Sequence, residues 1–443
     1  MRERSRVQGR VPSRADSILR PLANPGNKYY VLVAIAGAGL VWFLLAWAWQ
    51  LRYGLIVTGL GDWGTSGGVP WGIYIGSFIW WVGISHGGIL ISAGVRLFKL
   101  KVFYPVARLA ELLTIGSLTI AGLFIIIDLG RPDRVVLSVL KAYTTTVQTS
   151  PLVWDLTVIT LYFVLTATYM LLTLRHDIYI LRRRLPAHFK PVYELLTNGY
   201  KPEEDEKVQR MAWWLAFAVI ILAPFLLHGG VIPWLFQLIA SMPGWFSPAQ
   251  APTFLSIALT SAFGAVIILS YIFRRVYGWE ELLPDKLFSR MGSVLALVGL
   301  FFLWLQLQAI MTGAFAAPVG LRTATEAKME DPVYWVAIGL LIAAVLYLGA
   351  QAIWHNLFSV RRVVIVAIIP VLATLFEKTL FIVEGLQHPL FNLYRTVPGT
   401  YSPTWVEVSA IAGAVAMLVL WFAVVSKVIP IIEVEAEHEE KEE

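Results

Sequence analysis

The sequence predicts an all-α integral membrane protein with ten transmembrane helices, and three observations carry that prediction. The 443-residue chain is 58% hydrophobic and only 14% charged, too little charge for a water-soluble chain of this length. Apolar windows of about 20 residues, the length that crosses ~30 Å of hydrocarbon, recur along most of it. Loops rich and poor in Lys and Arg alternate from one window to the next.

The windows fall at 30–50, 70–95, 105–127, 152–174, 211–228, 252–273, 291–312, 332–353, 363–384 and 405–426. Ahead of them, residues 1–28 are a polar, basic tail. No short apolar stretch there precedes a small-residue cleavage site, so no cleaved signal peptide is expected. Residues 29–428 form the membrane domain, and 429–443 an acidic tail whose "EVEAEHEEKEE" reads as solvated. The loops and tails on the side of the N-terminus hold 27 Lys and Arg, against 7 on the opposite side, with Lys378 inside a span. The positive-inside rule makes the rich side cytoplasmic, with both termini there and the chain in the cytoplasmic membrane. The net charge of +6 calls for no nucleic acid, because basic flanks beside anionic membrane lipids account for it. Residues 229–251 carry no charged side chain. This stretch is expected either to lie flat at the interface, with Trp234 and Trp245 at headgroup depth, or to pack beneath a partner.

Ionisable groups inside a bilayer are costly and so mark functional candidates. His86 lies about 16 residues into the second window, or ~24 Å at 1.5 Å per residue. Gly76, Gly83, Gly87 and Gly94 would admit a neighbouring helix, and Trp80, Trp81 and Ser85 flank His86 in sequence. Such a His either closes an interhelical hydrogen bond or exchanges protons with the head group of a quinone-type ligand, a task suited to imidazole. Asp128 ends the third window in "IIIDLGRPDR". The helix dipole opposes an acid at that end, so Asp128 needs a cation, and Arg131 or Arg134 is the nearest supply. Asp155 opens the fourth window in "SPLVWD", where the dipole favours an acid. Arg131, Asp133, Arg134 and Asp155 read either as a clasp on an outer turn or as a docking edge for a partner.

Glu111, Glu377, Lys378 and Glu384 could relay protons or form interhelical salt bridges. Glu377 and Glu384 share a helix face, while Lys378 is rotated by roughly 100° from Glu377, so pairing between those neighbours is not expected. The chain has no cysteine, which excludes disulfides, thiolate-held iron–sulfur clusters and Cys-attached haem. His86, His228 and His355 sit at mismatched depths, so no haem is expected. No metal spacing, P-loop, dinucleotide-binding glycine pattern or nucleophile–base pair is present, and no catalytic residue is assigned.

"VPWGIYIGSFIWWVGISHGGILISA", "DLGRPDR" and "SPLVWD", in that order, resemble the NrfD/PsrC family of quinone-reactive membrane subunits. The likeness continues through "LLHGGVIPW", "GWFSPAQAPTFLSIALTSAFGAVII" and "LFEKTLFIV", across residues 30–428, and is similar to the ten-span subunits of alternative complex III and sulfur-metabolism complexes. The resemblance implies two four-helix bundles, 70–228 and 252–384, with two flanking helices. It implies a quinone site in the first bundle near the outer face, with His86 and Asp128 at the positions associated with quinone binding and Trp81 and Ser85 beside them. It also implies a partner holding four iron–sulfur clusters, followed by a molybdopterin oxidoreductase or a multihaem cytochrome, and possible proton translocation. Two other classes compete. A secondary transporter would use Pro-broken spans, and Pro224 and Pro370 both lie within windows. A passive membrane anchor would bind no quinone.

The charge asymmetry makes a topological prediction. A reporter fused within 313–331 should read as outside and one within 175–210 as inside, in a paired enzyme-fusion assay in cells. The reverse pattern would place any outer partner on the cytoplasmic side.

Overall fold

A computed structural model describes residues 14–23, 25–61, 69–135, 141–149, 151–222, 231–315, 318–390 and 401–434. Its principal helices are α1 (Arg14–Ala23), α2 (Asn27–Tyr53), α3 (Ile73–Leu97), α4 (Tyr104–Asp128), α5 (Pro151–Leu181), α6 (Asp205–Leu222), α7 (Gln250–Tyr277), α8 (Asp285–Phe315), α9 (Val319–Glu330), α10 (Pro332–Ile353), α11 (Val360–Gln387) and α12 (Trp405–Val425). Among the described residues there is no strand, and nine helices are long and apolar enough to cross a membrane. The chain is thus a multi-pass, all-α membrane protein. The expected fifth span, 211–228, runs on from α6, and its residues 223–228 lie outside the described ones, so a tenth crossing is not established.

Neighbour relations sort the helices. α3, α4, α5 and α6 close one ring, α7, α8, α10 and α11 close a second, and α2 pairs with α12 against α4. α3 joins the rings by packing on both α7 and α11. Its sequence suits that position. Between Tyr74 and Val95 every residue except Leu90 and Gly94 is buried, the pattern of a helix that is apolar all round. Close approach depends on glycine. A Cβ on Gly87 would fall 2.4 Å from the Ala258 carbonyl oxygen of α7, and one on Gly76 would fall 2.9 Å from Thr379 Cα of α11. Gly94, expected to serve the same purpose, faces open space, and Gly88, against Thr114 of α4, takes that part instead.

Polar ties fix the flanking pair. Tyr29 donates to the Ala423 carbonyl (3.2 Å), and the Trp421 indole donates to the Leu112 carbonyl (3.1 Å). Three expectations need correction. The uncharged stretch is not uniformly exposed over its described residues 231–251. Trp234 is 56% exposed, but Trp245 is buried and donates to the Phe381 carbonyl (3.0 Å) of α11, so one anchor faces out and the other plugs inward. The C-terminal tail is not solvated at its start, since Ile429, Ile431 and Ile432 are buried and Glu433 reaches into the first ring. Pro370 lies inside α11, which continues as one helix, so that span is not broken. Pro224 lies outside the described residues.

Overpacking at a site with no room costs about 1–3 kcal/mol or more. Gly87→Val should therefore lower the thermal midpoint of the detergent-extracted protein by several degrees, while Gly94→Ala should leave it nearly unchanged. Equal effects in a differential-scanning measurement would contradict the assigned α3–α7 contact.

Candidate functional site

The first ring holds buried polar groups at three depths. The end at which α3 finishes and α4 begins is called inner here, and the end at Asp128 outer. At the inner end, Glu111 of α4 is fully buried and accepts from Ser92 (2.6 Å) and from Arg96 (3.3 Å), both on α3. Arg96 also pairs with Glu433, and its guanidinium lies 5.7 Å from the Tyr169 ring centroid. Arg108 pairs with Asp177 of α5, donates to the Thr173 carbonyl (3.2 Å) and lies 3.9 Å from Glu433. Two arginines and three carboxylates thus close a network among α3, α4, α5 and the C-terminal segment. Glu111 is conspicuous in the sequence. Arg96, Arg108, Asp177 and Glu433 are not, because they read there as loop, span-end or tail charges.

At middle depth His86 is fully buried. Its ring stacks on Tyr162 of α5 (centroids 4.3 Å apart, planes 17°), and its Nδ1 lies 3.1 Å from the Val82 carbonyl oxygen. Thr114 of α4 donates to the Ser85 carbonyl (3.1 Å) at the same level. Trp81 packs edge-on against Trp80, whose indole donates to Thr374 (3.0 Å) of the second ring.

Asp128 ends α4 at the outer end. Between it and the level of Thr114 lie about 20 Å of helix at 1.5 Å per residue, so His86 and Asp128 do not meet at one point. Nor does Asp128 meet the arginines expected to hold it. Gly130 takes a left-handed φ of 62° and ends the helix. Beyond it Arg131 bridges Asp133 (2.8 and 3.0 Å) and holds that carboxyl below the usual range by hydrogen bonding, and Arg131, Asp133 and Arg134 are all exposed. Asp128 is only 6% exposed. The charge it feels is that of Glu407 on α12, with Tyr74 nearby. Tyr74 donates to Gln50 (2.8 Å), which donates to the Ile127 carbonyl (3.0 Å). Glu407 accepts from the Gly59 and Thr404 amides (2.8 Å each) and from the Tyr401 hydroxyl (2.5 Å). Burial, reinforced by Glu407, pushes the Tyr401 phenol above its ordinary range and keeps it a donor. Asp155 is also corrected. It lies beyond the first turn of α5 and is buried at 1% exposure, so it belongs to the interior and not to a docking edge.

A common feature links these levels. Ser77, Trp81 and Ser85 on α3, Ser117 and Asp128 on α4, and Asp155, Tyr162 and Thr166 on α5 each bury a polar side-chain atom that has no hydrogen-bond partner among the described residues. Spacings of four, seven and eleven residues put each set on one face of its helix. Each such atom costs about 1–3 kcal/mol if left unsatisfied, so the set calls for a ligand or water. Indole and hydroxyl donors beside carboxyl groups match the carbonyl and hydroxyl oxygens of a quinone head group.

The second ring is paired differently. Glu377 and Lys378 do neutralise each other (3.3 Å), contrary to the expectation from their rotation, because neighbouring side chains bend together when the alternative is a bare buried charge. Lys378 Nζ also sits 3.1 Å from the Phe254 ring centroid, and Gln306 donates to Glu377 (3.3 Å). Glu384 faces Lys328 of α9 (4.0 Å). Burial opposes the Lys328 charge, but Glu384 and its neighbours outweigh it and raise the pKa. Phe254, Gln306, Lys328, Glu377 and Glu384 border a cavity of about 90 Å³. No group of His, Asp or Glu suited to a metal ion is present among the described residues, and His228 lies outside them.

The chain is similar over long stretches to named proteins. It is 29% identical over 85% of its length, and 86% of the relative's, to a Halobacterium salinarum protein assigned as a membrane subunit of dimethyl sulfoxide reductase. It is 24% identical to a selenate reductase subunit of Mesobacillus selenatarsenatis, over 82% of this chain and 86% of that one. It is also 24% identical to the Hdr-like menaquinol oxidoreductase integral membrane subunit of Archaeoglobus fulgidus, over 94% and 97% of the two chains. The family model described as polysulphide reductase, NrfD, matches residues 62–390. With most of its length covered by that match, the chain belongs to the NrfD family.

Proposed function

We propose that this protein is the quinone-reactive membrane subunit of an oxidoreductase complex, passing electrons between the quinone pool and an iron–sulfur partner at the outer face. Eight buried polar side chains on α3, α4 and α5, each with an atom that has no hydrogen-bond partner among the described residues, carry this reading. The relatives named for menaquinol oxidation and for dimethyl sulfoxide and selenate reduction support it, and a molybdopterin oxidoreductase or multihaem cytochrome subunit would stand beyond the iron–sulfur one. A bound quinone would supply two-electron, two-proton chemistry, because that chemistry belongs to the cofactor. The cysteine-free chain contributes a pocket, proton exchange and a docking surface.

The residues divide that work. Asp128 Oδ1 and Asp155 Oδ1 are the carboxyl oxygens toward the outer end that have no partner among the described residues, whereas the oxygens of Glu407 are occupied by three donors. Asp128, at the very end of α4, is the one assigned to take or give a proton near the outer face. Trp81, Ser85 and Tyr162 orient the head group through their free donors, and His86, held flat against Tyr162, is the proton group at middle depth. From there the buried side chains Thr166, Tyr169 and Ser92 lead toward Glu111 at the inner end, the route along which a proton would reach the cytoplasmic side. Arg131, Asp133 and Arg134 offer the exposed polar edge on which the partner sits.

Two results test this division. Removing a positioned proton-transfer group costs about 10²–10⁴-fold in turnover. Asp128→Asn keeps shape but removes the titrating group, so quinol turnover by the purified complex should fall at least about 10²-fold with the partner still copurifying. Arg134→Ala should instead reduce copurified partner while the turnover of intact complexes stays near normal. Full turnover in Asp128→Asn would leave this acid as a structural clasp. Separately, His86→Ala should lose most quinol turnover in an assembled complex, and wild-type turnover in that variant would make His86 a packing residue.

A further inference from the structure

The inner end carries a second cavity that the proposed reaction does not use. It measures about 730 Å³ and is bordered by Arg14 of α1, Arg96 and Lys99 at the end of α3, Lys101 in the following turn, and Lys286 at the start of α8. Two carboxylates, Glu281 and Glu433, face these five cations, and Glu433 is already engaged by Arg96. Lys99 and Lys286 have no carboxylate partner among the described residues. Like charges gathered around one hollow repel, and they persist there only if something offsets the repulsion.

The backbone adds a second observation. Lys99 adopts φ 50°, a left-handed conformation in which glycine or asparagine is usual. A non-glycine residue held there stores about 1–3 kcal/mol of strain. The mouth of the cavity supplies a third. Phe98, Leu100 and Val102 are exposed (66%, 42% and 37%) and alternate with Lys99 and Lys101, and Trp213 on the cavity wall continues into the exposed Trp214 of α6. Apolar side chains that reach outward beside cations belong at the boundary between headgroups and acyl chains. α1 is pinned over the same region, with the Trp279 indole donating to the Ser17 carbonyl (2.8 Å), which fixes Arg14 at the rim.

We infer that this cavity binds the phosphate headgroup of an acidic membrane lipid, whose acyl chains run out past Trp213 and Phe98. A free phosphate would satisfy the cations but would gain nothing from the apolar mouth. The lipid would tie α1, the α3–α4 turn and α8 together at the inner end, linking the two rings there.

The full-length protein, delipidated in detergent, tests this by thermal denaturation. Phosphatidylglycerol should raise the midpoint by several degrees, and phosphatidylcholine should not. The double variant Lys99→Asn/Lys286→Gln touches two exposed side chains, and asparagine accepts the left-handed backbone. Without lipid it should be at least as stable as the wild type, since backbone strain and charge repulsion are both relieved, yet it should lose most of the phosphatidylglycerol shift. An equal shift with phosphatidylcholine, with inorganic phosphate alone or in the double variant would overturn the assignment.

Discussion

Arg108 is 1% exposed and its partner Asp177 is 2% exposed, within a protein whose exterior is hydrocarbon. An ion taken out of water costs several kcal/mol even after relaxation, and removing one member of a buried pair costs about 3–5 kcal/mol. The two arginines and three carboxylates at the inner end must therefore stay together. They come from α3, α4, α5 and the segment after α12, so the requirement to keep them paired fixes how four parts of the chain meet. The stacking of His86 on Tyr162 and the burial of the α5 face follow from that arrangement.

The consequence is a first ring with two unlike ends. Toward the inner side the charged groups pair with one another, although Glu111 Oε2, Arg96 Nε, Arg108 Nε and the Tyr169 hydroxyl lack a hydrogen-bond partner among the described residues. Toward the outer side Asp128, Asp155, Tyr162, Trp81 and Ser85 retain unsatisfied atoms. In the second ring the charged groups form two ion pairs, Glu377 with Lys378 and Glu384 with Lys328, although Glu377 Oε2, Lys378 Nζ and the Tyr334 hydroxyl make no hydrogen bond among the described residues.

The long apolar helices and the special standing of His86 are legible in the sequence, because burial in hydrocarbon demands uninterrupted apolar windows and makes any polar residue conspicuous. Partnerships are not. Proximity along the chain matches Asp128 to Arg131 and Arg134, yet Gly130 ends the helix and the acid is buried facing Glu407, some 280 residues later. Glu407 does leave a signal, since Thr404 and Glu407 form a capping box, but nothing local says that a capping acid also closes a polar cluster. The α5 stripe at 155, 162 and 169 is visible as a seven-residue spacing of polar and aromatic residues, and it becomes informative only when α3 is known to lie against it. Glu433 is hidden by the acidic run that follows it, whose composition suggests solvent.

Photoaffinity labelling of the assembled complex in native membranes with an azido-quinone, followed by peptide mapping, tests most directly whether the outer half of the first ring receives a quinone. A quinone seated there predicts adducts on α3, α4 or α5 between the levels of Asp128 and His86, suppressed by excess unlabelled quinone. Adducts confined to α8, α10 or α11, or labelling that excess quinone does not reduce, would contradict it.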